Sequence, residues 1–216
     1  MLSHLIDESV SRLLETKFRL GIFDHPLVDV HEANTLVGTS DAVTKGRAAQ
    51  RRSVVCLKIP RKLDSENLHL INFSTGTGAD LPTADAVIIN IDSPKQLLHP
   101  HHFFGSRQHE GDLDYKEDCE PFLTIKRLAE MVPVIAVVQM TRPAILTNLM
   151  GLLDGVYVNL GVADDIMLEV ITSGAETTAT LPFELPSSMS AVASQRSDVP
   201  QDSHEPLFSL GHSSRD

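Results

Sequence analysis

The sequence predicts an α/β fold in which a mostly parallel sheet of five or six strands is flanked by helices. Two apolar runs, residues 134–138 and 155–161, carry most of this prediction. Short apolar runs that are rich in β-branched residues are typical of strands buried on both faces. A helical pattern follows each run, over 144–153 and 164–172. The order strand, helix, strand, helix is typical of parallel sheets with crossover connections.

The elements before this core are also predicted by pattern. Apolar residues recur at steps of three and four over residues 2–20, which indicates an amphipathic helix. Residues 24–40 are predicted as a linker, and 41–52 as a short helix capped by Ser40 or Asp41. The remaining elements are strands over 53–59, 68–73 and 84–91, and a helix over 121–131.

The domain organisation follows from these elements and from two polar segments. Residues 92–118 are predicted as a long irregular loop, and loops of this length in compact domains are usually functional or disordered. From residue 187 onward the chain turns polar. We therefore predict a helix and linker over 1–40, an α/β domain over 41–190, and an extended, poorly ordered polar tail over 191–216.

Composition and charge exclude several classes of partner. The formal net charge of -11 argues against nucleic acid or an anionic membrane as the main partner. No apolar run approaches the ~18 residues of a membrane-spanning helix. The first residues lack a basic start and an apolar secretion core, so a cytoplasmic location is expected for the chain as given. Cys56 and Cys119 lie in unlike settings and predict no disulfide framework.

The loop at 92–118 contains residue types that bind metals or take part in catalysis. Its histidines are His99, His101, His102 and His109. Their spacing matches no metal motif, so we predict a solvated histidine-rich loop rather than a metal site. Gly76 and Gly78 lack the third glycine and the lysine of a phosphate-binding loop, so no nucleotide cofactor is expected.

The acidic run at 110–114 is the candidate for acid/base chemistry. Glycosidic cleavage uses two carboxyl groups, one protonated and one ionised. Closely spaced carboxylates raise one another's pKa when they are desolvated. The alternative to a general acid is a solvated acidic turn.

Several segments resemble one known family. Residues 12–23 are similar to the helix that leaves the catalytic barrel of glycoside hydrolase family 3, the β-glucosidase family. Residues 53–58 resemble the strand that opens the second domain of that family, and 109–115 resemble the loop before its core strand. The segment 181–189 is the longest and most specific match. Shorter matches are Arg142-Pro143-Ala144, Gln195, Asp198-Val199-Pro200, Asp202-Ser203 and Pro206-Leu207-Phe208.

The resemblance implies a retaining exo-glycosidase that acts on β-glucosides without a cofactor. In that family the nucleophile is an aspartate of a (β/α)₈ barrel, and the acid/base is usually a carboxylate from a loop of the second domain. By loop position alone, Glu110 and Asp112 are the acid/base candidates. The family pattern is interrupted at Ile59, where the family usually has an asparagine.

The resemblance covers only the second domain. A barrel takes about 250 residues, and no barrel sequence is present in this chain. We therefore expect negligible hydrolysis by the chain alone, and binding of a β-glucoside only where a barrel is supplied. In the full enzyme that the resemblance implies, the apolar face of the N-terminal helix would pack against the barrel and the second domain. In this chain we expect it to find another partner, self-associate or fray. The alternative to a hydrolase domain is a non-catalytic remnant or a binding module that docks on a separate chain.

Overall fold

The computed structural model describes residues 3–60, 68–72, 85–173, 177–199 and 201–214. The turn predicted around Gly76 and Gly78 lies outside these ranges. The chain divides into two compact units, Met1–Gly46 and Arg47–Asp216.

The first unit begins with the predicted amphipathic helix. Helix α1 spans Ser3–Arg19, and none of its residues is buried. Ion pairs one turn apart stabilise its exposed face, such as Arg19 with Glu15 at 2.6 Å. The helix is followed by Gly21, whose φ of +67° is the left-handed conformation that commonly ends a helix.

A second helix lies where the sequence predicted only a linker. Helix α2 spans Val30–Leu36. The carboxylate of Asp29 accepts hydrogen bonds from the backbone amides of His31, at 2.8 Å, and Glu32, at 3.1 Å. Such an N-cap satisfies amides that have no partner within the helix. The linker prediction was wrong here because one capping aspartate makes a two-turn helix from a segment of weak apolar periodicity.

Helix α3 spans Ser40–Ser53 and confirms the helix predicted over 41–52. The capping prediction was wrong by one residue. The hydroxyl oxygen of Thr39 accepts from the amide of Ala42 at 3.3 Å, so Thr39 takes the capping role expected of Ser40 or Asp41.

The second unit is built on one sheet. Its strands are β1 (Val55–Lys58), β2 (Leu68–Asn72), β3 (Ala86–Asp92), β4 (Val134–Gln139) and β5 (Gly155–Asn159). Their spatial order is β1-β5-β4-β3-β2. The pairings from β2 to β5 are parallel, and β1 pairs with β5 antiparallel. The remaining helices are α4 (Glu120–Ala129), α5 (Asp164–Ser173) and α6 (Met189–Ser194). The predicted α/β class with a mostly parallel sheet is confirmed.

Both faces of the sheet are buried, as the unbroken apolar runs predicted. One face packs on α4, whose Ile125 is fully buried in the same cluster as Ile89 of β3. The opposite face packs on α5, where Ile166 joins Ile135 of β4. Burial of one isoleucine side chain contributes about 2–3 kcal/mol, so the two layers stabilise the sheet from both sides.

The connection between β4 and β5 differs from the prediction. Residues 144–153 form consecutive turns, not a helix. The amide of Ile145 donates to the carbonyl of Leu113 at 2.9 Å, outside the segment, while the amide of Leu149 donates to Leu146 at 2.9 Å within it. The apolar spacing of the segment therefore reflects successive turns that bury side chains in the core. The helix prediction was wrong because spacing alone does not reveal these external bonds.

The C-terminal segment is held on the sheet, although the sequence predicted an extended, poorly ordered tail. The amide of Leu185 donates to the carbonyl of Phe208 at 2.8 Å, and the amide of Leu181 donates to His212 at 3.0 Å. The amide of Ser214 donates to the carbonyl of Cys56 in β1 at 3.1 Å. The prediction was wrong because the composition of the segment is mostly polar, whereas a few apolar residues and backbone hydrogen bonds hold it in place.

Candidate functional site

The candidate site lies at the carboxyl ends of β3 and β4. The loop that leaves β3 and the turns that follow β4 meet there, and ligands of α/β sheets bind at this edge. The hydroxyl of Ser93 donates to the carbonyls of Gln139, at 3.2 Å, and Arg142, at 2.9 Å. Ser93 thus links the loop that leaves β3 to the end of β4 and to the turns that follow it.

A tight turn presents the two predicted carboxylates. The amide of Gln96 donates to the carbonyl of Glu110 at 2.9 Å, and the side-chain oxygen of Gln96 accepts from the amide of Asp112 at 3.3 Å. Gly111 has φ +75°, and a Cβ there would lie 2.1 Å from that side-chain oxygen. The turn requires glycine on both counts. The guanidinium of Arg142 donates to the Gly111 carbonyl at 2.7 Å and fixes the turn to the sheet.

Glu110 is held by a single histidine. Its Oε1 lies 2.8 Å from Nδ1 of His99, and its Oε2 accepts from the His99 amide at 3.1 Å. The hydrogen bond from the ring lowers the pKa of the Glu110 carboxyl below its usual value. The Glu110 side chain is 24% exposed, so it remains open to solvent and to a partner.

Asp112 has a different partner, although it lies only two residues away. Its carboxylate forms an ion pair with Lys116 at 2.8 Å, and this contact lowers the pKa of Asp112. The pKa of the neighbouring Asp114 is shifted in the opposite direction. Burial, and then the charge of Asp112, raise the pKa of Asp114. The side-chain amide of Asn148 lies 3.3 Å from its carboxylate.

A pocket of about 280 Å³ lies beside the turn. It is lined by Asp92, Pro94, Lys95, Gln96, Asp112, Asp114, Tyr115, Lys116, Asp118, Cys119 and Pro121. The hydroxyl of Tyr115 donates to the carbonyl of Asp92 at 2.6 Å, and burial raises the pKa of this phenol. Of the two predicted carboxylates, Asp112 lines the pocket and Glu110 does not.

The histidines of the loop do not converge. The rings of His99 and His102 stack with centroids 4.9 Å apart, whereas Nδ1 of His109 lies 2.9 Å from the hydroxyl of Thr141. In the described ranges no group of three His, Cys, Asp or Glu side chains could hold a metal ion. The sequence did not indicate that His99 pairs with Glu110, because the two are brought together by the return of an irregular loop.

Known β-glucosidases are similar to this chain in sequence and in structure. No family profile matches the sequence. A periplasmic β-glucosidase/β-xylosidase of Dickeya chrysanthemi is 41% identical over 218 residues, which cover 96% of this chain and 33% of that protein. A probable β-glucosidase C of Aspergillus flavus is 34% identical and covers 96% of this chain and 34% of its own length. The chain therefore spans about a third of the relatives that it matches.

The solved structures agree with this placement. A β-glucosidase of Listeria innocua in complex with isofagomine superimposes with a TM-score of 0.67 over 99% of this chain and 39% of that protein, at 15% identity. The predicted resemblance to the C-terminal domain of the family 3 β-glucosidases is confirmed, over about a third of the length of these relatives. The Listeria protein has also been solved with glucose, so a member with this domain binds sugar as part of a longer chain. These comparisons support a truncated domain of a β-glucosidase and do not favour the non-catalytic alternative.

Within the described ranges, no helix is both long and apolar enough to span a membrane.

Proposed function

We propose that this chain is the acid/base-bearing domain of a β-glucosidase that removes terminal β-D-glucosyl residues. The observation that carries the proposal is the turn at residues 110–112, which is fixed to the carboxyl ends of β3 and β4 and has Glu110 open on its surface. The two-thirds of the relatives' length outside the match is room for a barrel, which would supply the nucleophilic aspartate.

The chemistry requires both parts. A retaining glycosidase places its two carboxyl groups about 5 Å apart on either side of the glycosidic bond. The described residues form one sheet domain without a barrel, so this domain supplies one side of that arrangement. Glu110 and Asp112 are the two acid/base candidates: their side chains are 24% and 23% exposed, and each carboxylate has one charged or titratable partner, His99 for Glu110 and Lys116 for Asp112.

Hydrolysis of an aryl β-glucoside tests the proposal. The 216-residue chain alone should give no turnover above the buffer blank. The same residues, joined in place of the matching third of the Dickeya relative, should restore turnover to the barrel of that relative. In this chimaera Glu110→Gln should lower kcat about 100-fold, as expected for loss of acid/base assistance.

Two variants and one outcome make the test decisive. Glu117→Gln is the matched control, since Glu117 is an exposed carboxylate of the same loop outside the pocket lining. Asp112→Asn distinguishes the second candidate from the first. A chimaera that folds but shows no hydrolysis, or hydrolysis by the chain alone that is lost in Glu110→Gln or Asp112→Asn, would contradict the proposal.

Two sequence predictions stay predictions. Self-association through the apolar side chains of α1, such as Leu13 and Phe18, is checked by light scattering over a range of concentrations. The cytoplasmic location is also unsettled by the comparisons, since the Dickeya relative is named periplasmic. Fractionation of the source cells tests it.

A further inference from the structure

We propose that Met189 is a modification site, at which a hydroperoxide oxidises the thioether to a sulfoxide whose oxygen replaces the sulfur as acceptor of the Leu113 amide. Met189 is the first residue of α6, and Leu113 belongs to the acidic run at 110–114. The inference goes beyond the proposed function and does not depend on it, because neither the reaction nor its test involves a sugar.

The sulfur of Met189 has a defined contact. The backbone amide of Leu113 donates to Sδ of Met189 at 3.4 Å. A thioether sulfur is a weak acceptor, whereas oxidation gives the side chain a polar S–O group. Leu113 is buried, so water competes little for its amide. Oxidation would therefore exchange a weak acceptor for a stronger one at an amide that needs a partner.

The exposure of Met189 makes its sulfur accessible to a small oxidant. Its side chain lies at the surface with the residue 36% exposed, whereas Met140 and Met167 are buried in the core. Met131, which follows α4, is 57% exposed and provides a reference for an accessible thioether. A hydroperoxide should therefore reach Met189 and Met131 in the folded chain and leave Met140 and Met167 unmodified.

The reaction balances with the hydroperoxide as the only co-reactant. A lone pair of Sδ attacks one peroxide oxygen, an S–O bond forms and the O–O bond breaks. The sulfur loses two electrons, and the peroxide gains them. The proton of the transferred oxygen passes to the departing oxygen, which leaves as water when the oxidant is hydrogen peroxide. Methionine sulfoxide reductases reverse the change, so the modification is reversible.

The added oxygen requires a local rearrangement. An N–H···O bond needs about 2.9 Å between nitrogen and oxygen. The 3.4 Å between the Leu113 nitrogen and Sδ therefore leaves no room for an S–O bond between them. The start of α6 is held in place, because the hydroxyl of Thr147 donates to the Ser187 carbonyl at 2.7 Å. The Ser188 hydroxyl oxygen also accepts from the Ala191 amide at 3.1 Å. The unbranched thioether side chain should therefore turn, so that oxygen takes the place of sulfur.

The Leu113 amide connects this change to Asp112. The pKa of Asp112 is lowered first by its hydrogen bond with Lys116, and the backbone amide of Leu113 contributes further. The carbonyl of Leu113 accepts from the amide of Ile145 at 2.9 Å, which holds this part of the backbone in place. A stronger acceptor on Met189 would compete with the Asp112 carboxylate for the Leu113 amide. Oxidation should therefore weaken one of the hydrogen bonds of Asp112.

Mass spectrometry of the 216-residue chain treated with hydrogen peroxide tests the modification. Cleavage after acidic residues places Met189 alone in the peptide 185–198. In the folded chain Met189 should gain one oxygen at least about 10-fold faster than Met167, and in urea the two rates should be equal. A Met189 that stays unmodified in the folded chain while Met131 is oxidised would overturn the inference.

NMR of backbone amides tests the exchange of acceptors. In the oxidised chain the Leu113 amide proton should move downfield, and treatment with reductases for both sulfoxide epimers should return it to its first position. Met189→Leu keeps the apolar volume and removes the sulfur, so peroxide should leave the Leu113 signal of this variant unmoved. Met131→Leu is the matched control and should respond as the wild type does. A Leu113 amide that is unchanged when Met189 is a sulfoxide, or that moves equally in Met189→Leu, would refute the exchange.

Discussion

At the scale of single residues, Asp114 opposes folding at neutral pH. Its pKa is raised by burial and by Asp112, so the folded state binds the Asp114 proton more tightly than the unfolded state does. A raised acid pKa means that ionisation costs stability above the folded pKa, and the cost disappears below the unfolded pKa near 4. Asp114→Asn should therefore raise the free energy of unfolding at pH 7 and leave it nearly unchanged at pH 3.

Urea unfolding at the two pH values measures this difference. Asp118→Asn is the matched control, because Asp118 lines the same pocket with an exposed side chain. Equal gains for both variants, or a gain for Asp114→Asn that persists at pH 3, would refute the assignment.

The sequence predicted the acidic residues of the site but not their different chemistry. Glu110, Asp112 and Asp114 alternate along one short run. His99 lowers the pKa of Glu110, Lys116 lowers that of Asp112, and burial raises that of Asp114, whose carboxylate lies beside the Asn148 amide. Only Lys116 is close enough in sequence for local spacing to suggest the contact. The fold of the loop after β3 brings His99 to Glu110, and the connection after β4 brings Asn148 to Asp114.

At the scale of elements, Lys58 of β1 stabilises the turns at 144–153. Its ammonium donates to the carbonyl of Met150 at 3.2 Å and to the carbonyl of Leu153. Hydrogen bonds from charged groups contribute about 1.5–3 kcal/mol, and unpaired buried carbonyls carry a similar cost. Lys58→Met keeps the apolar stem and removes these bonds, so it should lower the free energy of unfolding by about 2 kcal/mol.

Chemical unfolding and amide exchange follow the effect of Lys58→Met. Exchange should accelerate at the amides of Leu152 and Leu153, which bond to Leu149 within the turns. Lys95→Met provides the control, since Lys95 is exposed and lies 3.6 Å from Asp92. An unchanged unfolding midpoint in Lys58→Met would show that water replaces the ammonium at no cost.

The same segment shows what local pattern predicts. Strands β4 and β5 were predicted from their own unbroken apolar runs, and helix α5 from its own helical pattern, so their burial follows from local sequence. The turns at 144–153 have helix-like spacing, yet their partners are Leu113 and Lys58, far away in sequence. A helix and a series of turns can bury apolar residues at the same sequence spacing. The hydrogen bonds to distant residues distinguish the two structures.

At the scale of the whole second unit, residues 177–214 include two contacts that cover the outer edge of β1. This strand is the edge strand next to β5, and an open edge invites pairing with another chain. A bridge joins Val55 to Ala179, and the Ser214 amide bonds to the carbonyl of Cys56. Phe208 and Leu207 pack against the core from the same segment.

Removal of residues 201–216 keeps the bridge from Ala179 to Val55 but removes the Ser214 bond to Cys56, so it should destabilise the domain and uncover β1 at Cys56. We expect a lower Tm and concentration-dependent association, because the chain loses apolar contacts and exposes the β1 edge. Ser214→Pro is the finer variant: it removes the amide that bonds to the Cys56 carbonyl together with the Ser214 hydroxyl, while Ser214→Ala removes the hydroxyl alone and so serves as control. Light scattering with thermal unfolding measures both effects. If the shortened chain stays monomeric with an unchanged Tm, the segment neither protects the edge nor stabilises the core.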